Sequence, residues 1–595
     1  MSDDTIHDED FQARWNWGLW RQVLRFALPY KRLLVAMAVV AILTACCDVA
    51  VPFLTGRIID EVVDAGTESN LFGYGVAFAV VMTVFAMCIF TFILLAGRIA
   101  TSICYDIRQA SFEKLQELSF SYFDHRPVGW LMARLTSDCS GLSRIMGWAL
   151  LDCVWGVCMI LGISTVMFIL NWQLALLVLT ITPPLLFASR FFHRRLLLTS
   201  RHMRKANSHM TASYSEGLMG VRTTKSLVRQ PQNLGEFQKL SSTMYGDSIS
   251  NALYAAVFLP IVITLCSVGV GLALWFGSGK VIEGSITVGT LVVFIAYAGH
   301  LANPISEMAQ TLTTLQGAQA SAERIQQLFD TEPEVKESGD ALVAPQESID
   351  SIEFEDVGFA YRDGKPVLDE FRLNVKTGQT IALVGPTGGG KSTIVSLACR
   401  FYEPTNGRIL INDIDYRKRS IHSLQSNLGI VLQTPHLFRD NVRENIRYGR
   451  LDATDDEVES VARLVNAHDF IADLQDGYDT DVGEGGNNLS TGQKQLISLA
   501  RALLSNPQIL VMDEATSSVD TETEALIQSA VDRVLSGRIA FVIAHRLSTI
   551  RNADQILLIA DGQIAESGTH DQLMRQRGRY FDLYTNQFAQ DQMSN

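Results

Sequence analysis

A glycine-rich run that ends in lysine and serine is the segment with the clearest potential for chemistry. In IALVGPTGGGKST, Gly385, Gly390, Lys391 and Ser392 fit the spacing G-x-x-x-x-G-K-[ST], directly after an apolar stretch that predicts a buried strand. Glycines let the backbone wrap around a phosphate and donate amide N–H groups, and the lysine balances β- and γ-phosphate charge. The serine hydroxyl can ligate Mg²⁺. The pattern predicts a nucleotide-phosphate site between a strand and a helix.

Two carboxylates end a second apolar strand, ILVMDEA. Asp513 is suited to hold Mg²⁺, directly or through a water, and Glu514 to orient and polarise an attacking water. The alternative is a pair of strand-end carboxylates that cap a helix, which is less consistent with a phosphate-binding loop upstream. The two motifs together predict hydrolysis of the bound nucleotide.

A second candidate phosphate contact is the turn NNLSTGQKQ, Asn487 to Gln495, just upstream of that strand. It enters a predicted helix, whose first N–H groups are unpaired and carry the positive end of the helix dipole. Three single residues complete the set. Gln433 is placed to sense Mg²⁺ and water, His545 follows another buried strand and can contact a γ-phosphate, and Tyr361 can stack on adenine.

The elements that position these residues lie in the second half of the chain. The first half is strongly apolar and has a different organisation. About 20 helical residues cross a bilayer, and six runs are long enough: 33–54, 71–96, 147–170, 174–192, 252–276 and 286–305. Arginines and lysines concentrate before the first run and after the second and fourth. The positive-inside rule therefore predicts that both termini and the ATPase domain are cytosolic.

The two basic connections are long and keep a helical period, so the membrane helices are expected to continue past the bilayer as hairpins. Their polar midpoints, Arg126 to Asp138 and Ser215 to Ser226, are predicted to contact a cytosolic domain. Tryptophans and arginines before residue 30 predict an interfacial helix rather than one packed on protein. Asp48 and Asp152 lie inside apolar runs, where they either line a substrate path or pair between helices.

The predicted fold is an α-helical membrane domain of six transmembrane helices with long cytosolic extensions, followed by an α/β P-loop ATPase domain. The expected divisions are a cytosolic tail and interfacial helix at 1–30, the transmembrane domain at 31–325, a linker at 326–349, the nucleotide-binding domain at 350–587 and a C-terminal tail at 588–595. A net charge of −14 without a basic face argues against nucleic acid as a partner. The nine cysteines show no metal-site spacing.

With these motifs in place, the chain resembles an ABC exporter half-transporter of the multidrug and lipid-flippase type over nearly its whole length. The resemblance implies ATP and Mg²⁺ as cofactors, with Mg²⁺ held by Ser392, Gln433 and Asp513. It also implies a Q-loop at Gln433, a switch histidine at His545, an A-loop at Tyr361, a Walker B pair at Asp513 and Glu514, and a D-loop containing Ser518 and Asp520. The Walker A residues are Gly385, Pro386, Thr387, Gly388, Gly389, Gly390, Lys391, Ser392 and Thr393. The signature residues are Leu489, Ser490, Thr491, Gly492 and Gln493.

In that family the signature turn binds the γ-phosphate of ATP held by another subunit, so a dimer is required. Two positions depart from the family pattern. Thr491 replaces the first glycine of the signature, and Gly485 replaces an arginine. Some heterodimeric relatives pair one half that has a catalytic glutamate and an altered signature with a partner that has the reverse. Glu514 with Thr491 resembles the first kind, which favours a heterodimer over a homodimer.

The predicted function is therefore ATP-driven export or flipping of an amphipathic, drug-like, lipid or peptide substrate. The alternatives are a homodimeric lipid or multidrug exporter and, in another class, an ATP-switched regulator or channel that does not transport. Lys391, Glu514 and His545 are all present, which favours turnover over a switch. The half-transporter form and the lack of a targeting pattern predict a bacterial inner membrane, with membrane lipid as a partner.

Overall fold

The computed structural model describes residues 17–66, 71–337, 348–361, 364–513, 521–544 and 547–585. The chain forms two compact units. The first comprises Met1–Glu117 and Arg126–Glu332, and the second comprises Leu118–His125 and Pro333–Asn595. The short segment Leu118–His125 therefore belongs to the same compact unit as the C-terminal half, although it lies between helices of the first unit.

All described secondary-structure elements of the first unit are helical. Its helices are α1 (Trp17–Val23), α2 (Lys31–Ala65), α3 (Leu71–Glu117), α5 (Val128–Ala133), α6 (Cys139–Leu170), α7 (Trp172–Leu179), α8 (Thr182–Met219), α9 (Val221–Ser226), α10 (Gln230–Ile282), α11 (Val288–His300) and α12 (Ala302–Asp330). The helix α4 (Phe120–Asp124) lies in the segment that joins the second unit. A π-helical turn, Arg134–Asp138, connects α5 to α6.

Six helical segments of the described chain are long and apolar enough to cross a membrane, which confirms the predicted membrane domain. They are Leu28–Asp64, Leu71–Glu117, Val128–Leu170, Trp172–Met219, Gln230–Ile282 and Val288–Thr311. Helix α3 has 47 residues and α10 has 53. At about 1.5 Å per residue these helices are roughly 70 and 80 Å long, more than twice the thickness of the hydrocarbon core. Their extensions past the membrane agree with the predicted long hairpins.

The N-terminal helix α1 has one face packed on protein and one face open. Leu19, Trp20 and Val23 are buried in a cluster that also contains residues of α2, α3 and α12. Trp17 is 74% exposed. The tryptophan-rich sequence predicted an interfacial helix rather than one packed on protein, but one face of α1 is packed on protein. The exposed Trp17 can still contact a membrane surface.

The second unit contains two sheets. Its strands are β1 (Ser351–Ala360), β2 (Pro366–Lys376), β3 (Thr380–Val384), β4 (Asn406–Ile411), β5 (Ile414–Asp415), β6 (Leu428–Val431), β7 (Ile509–Asp513), β8 (Ile539–Ile543), β9 (Gln555–Ala560) and β10 (Gln563–Gly568). Its remaining helices are α13 (Lys391–Ala398), α14 (Ile421–Gln425), α15 (Val442–Arg447), α16 (Asp455–Leu464), α17 (His468–Ala472), α18 (Thr491–Leu504), α19 (Thr521–Leu535), α20 (Leu547–Asn552) and α21 (His570–Gln576).

The six-stranded sheet, ordered β10-β9-β3-β8-β7-β6, positions the candidate site. Strands β6, β7, β8, β3 and β9 pair in parallel. Strands β3 and β8 are buried at every residue because both faces of the sheet are covered. The carboxyl ends of β3, β7 and β6 therefore share one edge. An antiparallel sheet, ordered β2-β1-β4-β5, completes the α/β domain, as predicted.

The segment Leu118–His125 packs on the ATPase domain through aromatic and polar contacts. The rings of Phe120 and Phe401 lie 4.2 Å apart, and the Tyr402 hydroxyl donates to the Asp124 carboxylate. The Ser119 hydroxyl oxygen accepts a hydrogen bond of 2.8 Å from the backbone N–H of Glu334. The predicted contact tip, Arg126 to Asp138, begins just after this segment. The sequence pattern predicted a contact through a polar segment, whereas the contact of Leu118–His125 depends mainly on aromatic side chains.

Candidate functional site

The glycine-rich loop runs from the carboxyl end of β3 to the start of α13, and three of its glycines have positive φ. Gly385, Gly388 and Gly390 have φ of 138°, 82° and 104°. A Cβ at position 385 would lie 2.2 Å from the carbonyl oxygen of Ile559, so only glycine fits there. Gly390 precedes the first residue of α13, and no side chain caps that helix start. The first N–H groups of α13 are therefore available to an anion.

Lys391 is buried at the start of α13 and folds back over the loop. Its Nζ donates hydrogen bonds of 2.8 Å to the carbonyl oxygens of Gly385 and Pro386. Burial lowers the pKa of Lys391, and the carboxylate of Asp513 opposes that shift. The ammonium group thus lies at the mouth of the loop and interacts electrostatically with the acid that ends β7.

Tyr361 lies beside the same helix. Its hydroxyl shares a 3.1 Å hydrogen bond with the Thr393 hydroxyl, and its ring packs edge-on against Phe359 and Tyr402. A cavity of about 220 Å³ lies next to this ring, lined in part by Ser121, His125, Glu334, Tyr361, Tyr402 and Glu403. The structure therefore places an aromatic ring with open space beside it next to the glycine-rich loop.

The carboxyl edge of the sheet brings the predicted metal-binding residues towards each other. Asp513 is the last residue of β7, and Val431 of the neighbouring strand β6 pairs with Met512. Gln433 follows two residues after Val431 and is exposed. Ser392 is exposed on the first turn of α13, after β3. Glu514, Ser518, Asp520 and His545 lie outside the described residues.

The signature turn begins α18 with a reciprocal cap that the sequence reading missed. The Ser490 hydroxyl accepts a hydrogen bond of 3.3 Å from the backbone N–H of Gln493, and the Gln493 side chain accepts one of 3.0 Å from the backbone N–H of Ser490. The S-x-x-Q spacing is the signal that would have found this capping box. Leu489 and Gly492 are buried, whereas Ser490 and Thr491 are exposed.

Gly485 lies in the segment before this turn, with φ of 61°. No atom lies within 4 Å of a Cβ built at this position. Its carbonyl oxygen accepts a 3.1 Å hydrogen bond from Lys494 Nζ. A side chain would fit at position 485, so crowding in this subunit does not explain why glycine stands there instead of arginine. The positive φ of this residue does favour glycine.

Asp48 and Asp152, the two acids inside the apolar runs, each accept a hydrogen bond from a neighbouring helix. Trp155 Nε1 donates to Asp48 at 3.0 Å, and Thr311 Oγ1 donates to Asp152 at 2.9 Å. These bonds join α2 to α6 and α6 to α12. Glu307 on α12 interacts electrostatically with both carboxylates. The interhelical pairing expected as one alternative is present, and the donors are neutral.

Comparison with known proteins agrees with this architecture. Residues 34–305 match the family described as ABC transporter transmembrane region, and residues 368–517 match ABC transporter. An ATP-dependent lipid A-core flippase from Syntrophus aciditrophicus is 33% identical, and the alignment covers 98% of this chain and 97% of the relative. A putative multidrug export ATP-binding/permease protein from Bacillus subtilis is 33% identical over 96% of this chain and 99% of its own length.

A solved structure described as a bacterial Atm1-family ABC exporter with ATP bound has the same fold. Its TM-score is 0.78 and its sequence identity is 27%, over 94% of this chain and 98% of that one. The six membrane helices, the fused nucleotide-binding domain and these full-length relatives lead to one conclusion. The chain belongs to the ABC transporter family, as an integral membrane half-transporter that works as a dimer and couples ATP hydrolysis to export.

Proposed function

We propose that this chain is one half of a heterodimeric exporter and supplies the hydrolytic motifs of one composite ATP site. The observation that carries the proposal is the contrast between an intact glycine-rich loop and a signature turn with Thr491 in place of glycine. A β-branched side chain at this position restricts the close approach of backbone to phosphate. A partner with an intact signature would complete the site that contains Lys391 and Glu514.

In the proposed ATP site, each residue has one task. Tyr361 stacks on adenine, and the loop amides with Lys391 bind the phosphates. Ser392, Asp513 and Gln433 hold Mg²⁺, which offsets the charge that develops on the γ-phosphate. Glu514 polarises the attacking water, and His545 contacts the γ-phosphate. The signature residues contact ATP on the partner: Leu489, Ser490, Thr491, Gly492 and Gln493. Ser518 and Asp520 belong to the D-loop.

An exposed apolar tip supports docking between subunits. The helices α8, α9 and α10 meet at a hairpin whose large side chains are open to solvent. Its exposed members include Leu218, Met219, Leu227 and Val228. Contiguous exposed apolar side chains away from lipid mark protein contact surfaces. In the proposed dimer this hairpin docks on the ATPase domain of the partner subunit and conveys its closure to the membrane helices.

We propose an amphipathic substrate, either a lipid or a drug-like molecule that carries a positive group. The relatives named a lipid A-core flippase and a multidrug exporter support both classes. Asp48 and Asp152 have neutral hydrogen-bond partners, and Glu307 lies near them and is exposed. Charged groups at membrane depth are costly unless they face a cavity or a partner. Their hydrogen-bond donors are neutral and leave the negative charges uncompensated, so we place these acids on the proposed substrate path, where a positive group of the substrate would be their charge partner.

The proposed location is a bacterial inner membrane, with the ATPase domain and both termini in the cytosol. The basic residues that follow the second and fourth membrane runs support this orientation. A homodimeric exporter is the second candidate, because a threonine in the signature can be tolerated when both sites are identical. An ATP-switched regulator or channel is disfavoured by the presence of Lys391, Glu514 and His545.

The test is purification of the tagged chain from its own host membranes, followed by identification of any stoichiometric partner. The heterodimer proposal expects a second half-transporter with an intact signature, and Mg²⁺-dependent ATP hydrolysis by the pair that Glu514→Gln abolishes. A homodimer with the same specific activity as any co-purified pair contradicts the proposal. Flipping of a fluorescent lipid and efflux of a cationic dye, each compared with Asp48→Asn and Asp152→Asn, then separate the two substrate classes.

A further inference from the structure

A buried carboxylate joins two helices of the membrane domain near their connections to the ATPase domain. The side chain of Asp138 is only 4% exposed. It accepts hydrogen bonds from Arg134 at 2.7 Å, from Ser321 at 2.9 Å and from Arg324 Nε at 3.0 Å, and a further bond from the second nitrogen of Arg324. Ser321 and Arg324 belong to α12, whereas Asp138 immediately precedes α6. These four residues are called the clamp below.

The clamp is held closed by strong interactions. Removal of one partner from a buried ion pair is strongly unfavourable, because the remaining charge is left uncompensated. Arg134 also lies over the ring of Trp130, 3.9 Å from its centroid. The guanidinium group is attracted to the electron-rich face of the tryptophan ring. Charged contacts therefore hold Asp138 both to its own turn and to α12.

Two clamp residues, Arg134 and Asp138, are the ends of a π-helical turn that a third helix supports. Arg134–Asp138 is π-helical, a form that is rare and frequent at functional sites. Arg108 on α3 donates a 2.9 Å hydrogen bond to the carbonyl oxygen of Leu135. The Cys139 thiol donates to the carbonyl oxygen of Arg134 at 3.0 Å. The turn is thereby fixed to α3 as well as to α12.

The position of the clamp along the chain points to its role. The chain passes between the two compact units at three places, after residues 117, 125 and 332. Arg108 lies nine residues before the first crossing, Arg134 lies nine after the second, and Arg324 lies eight before the third. All three connections between the units thus enter helices that meet at the clamp.

We propose that the clamp makes α3, α6 and α12 move as one rigid body when the ATPase domain moves. Asp138 is then a positioning residue that couples ATP hydrolysis to movement of the membrane helices. Movement that reaches α12 through its C-terminal connection is passed at once to α3 and α6. Without the clamp each connection moves its own helix, so hydrolysis continues while the membrane helices respond weakly.

A disulfide across the clamp tests whether it stays closed. A Cβ at position 141 lies 3.7 Å from Ser321 Oγ, so Gly141→Cys with Ser321→Cys places two thiols within reach of each other. Cys139→Ser is included in every variant to remove the neighbouring thiol, and each single cysteine variant is the matched control. The full chain is purified from its host membranes with any bound subunit and placed in nanodiscs.

Two readouts separate coupling from folding: ATP hydrolysis, and the ATP-dependent change in hydrogen exchange at residues 283–287, the turn between α10 and α11. The oxidised pair is expected to keep both within about twofold of the reduced pair, since a rigid joint has no need to open. Loss of the exchange change on oxidation, with recovery after reduction, would overturn the proposal.

Asp138→Asn tests whether the clamp is needed. We expect hydrolysis within about threefold of the parent, with an exchange change at 283–287 at least about fivefold smaller, and recovery when the engineered disulfide forms in the same chain. Ser137→Ala, an exposed neighbour in the π-turn, is expected to change neither readout. An undiminished exchange change in Asp138→Asn contradicts the proposal. Arg324→Lys, which keeps the charge but not the two-point contact, provides the same test if Asp138→Asn does not fold.

Discussion

Two helix starts of the ATPase domain are proposed to bind phosphate, and they differ in how many of their N–H donors already have a partner within the subunit. Helix α13 follows Gly390, which provides no cap, so its first N–H groups are open. Helix α18 follows Ser490, and the capping box with Gln493 satisfies donors of its first turn internally. The uncapped start of α13 can bind an anion in its own subunit through its unpaired N–H groups. A capped start keeps the helix intact while no anion is present.

The two starts also differ in their tolerance of a side chain. The glycine-rich loop excludes a Cβ at Gly385 through the nearby Ile559 carbonyl oxygen. Thr491 at the other start is exposed to solvent. In the single subunit the threonine therefore meets no obstacle. In the proposed dimer, its cost would arise only when a phosphate of the partner subunit approaches, so the fold of the single subunit does not select against the threonine.

Removal of the charge at the open start is expected to have the largest effect. Lys391→Ala should lower ATP hydrolysis by about 10²–10³-fold, because a charged donor at the developing phosphate charge is lost. Hydrolysis by the purified assembly, with ATP binding measured separately, checks this expectation. Lys494→Ala, a lysine on the first turns of α18, is the control. An equal loss in both variants would contradict the distinction between the two starts.

The glycines of the open start are expected to differ among themselves. Gly385→Ala combines a positive φ with a backbone clash, whereas Gly388→Ala has a positive φ and no atom within 4 Å. The second change should cost about 1–2 kcal/mol of backbone strain. Because the free loop can relax and must regain this conformation to bind ATP, the loss of ATP affinity should be roughly 30-fold or less. Gly385→Ala should cost more. Equal ATP affinities for the two variants, by titration calorimetry, would mean that the Ile559 carbonyl is not the constraint.

The cap of the second start is expected to affect stability more than hydrolysis. Ser490→Ala removes the hydroxyl that accepts from Gln493, and loss of an N-cap typically costs about 0.5–2 kcal/mol. Thermal unfolding of the assembly without ATP should therefore shift downwards. Ser505→Ala, at the opposite end of α18, is the matched control. A cap that contributed only to the composite ATP site would leave the unfolding of the ATP-free protein unchanged.

The smallest expected effect is a pH dependence at the open start. Burial lowers the pKa of Lys391, so its ammonium loses its proton at a lower pH than an exposed lysine. ATP affinity should fall as pH rises towards this lowered pKa, because the neutral amine no longer balances phosphate charge. Lys391→Arg does not titrate in this range and should show a flatter profile. A steeper fall in the arginine variant would contradict the assignment.

Repetitive and local patterns made much of this molecule predictable. Six apolar runs specified the membrane helices, and the order strand, glycine loop, lysine specified the junction of β3 and α13. The clamp was not predictable, because Asp138 and Arg324 lie 186 residues apart and no short spacing connects them. The packing of Phe120 on Phe401 was missed for the same reason. The Ser490 cap was missed although its spacing is local.

The measurement that tests the heterodimer account most directly is ATP hydrolysis by this chain purified alone in nanodiscs, with and without Thr491→Gly, and with Glu514→Gln as the blank. The account predicts slow hydrolysis by the parent chain and a rise of about tenfold in Thr491→Gly, since backbone can then approach the phosphate closely. Equal, robust hydrolysis by the two proteins, abolished by Glu514→Gln, would contradict it and establish that two identical copies are sufficient.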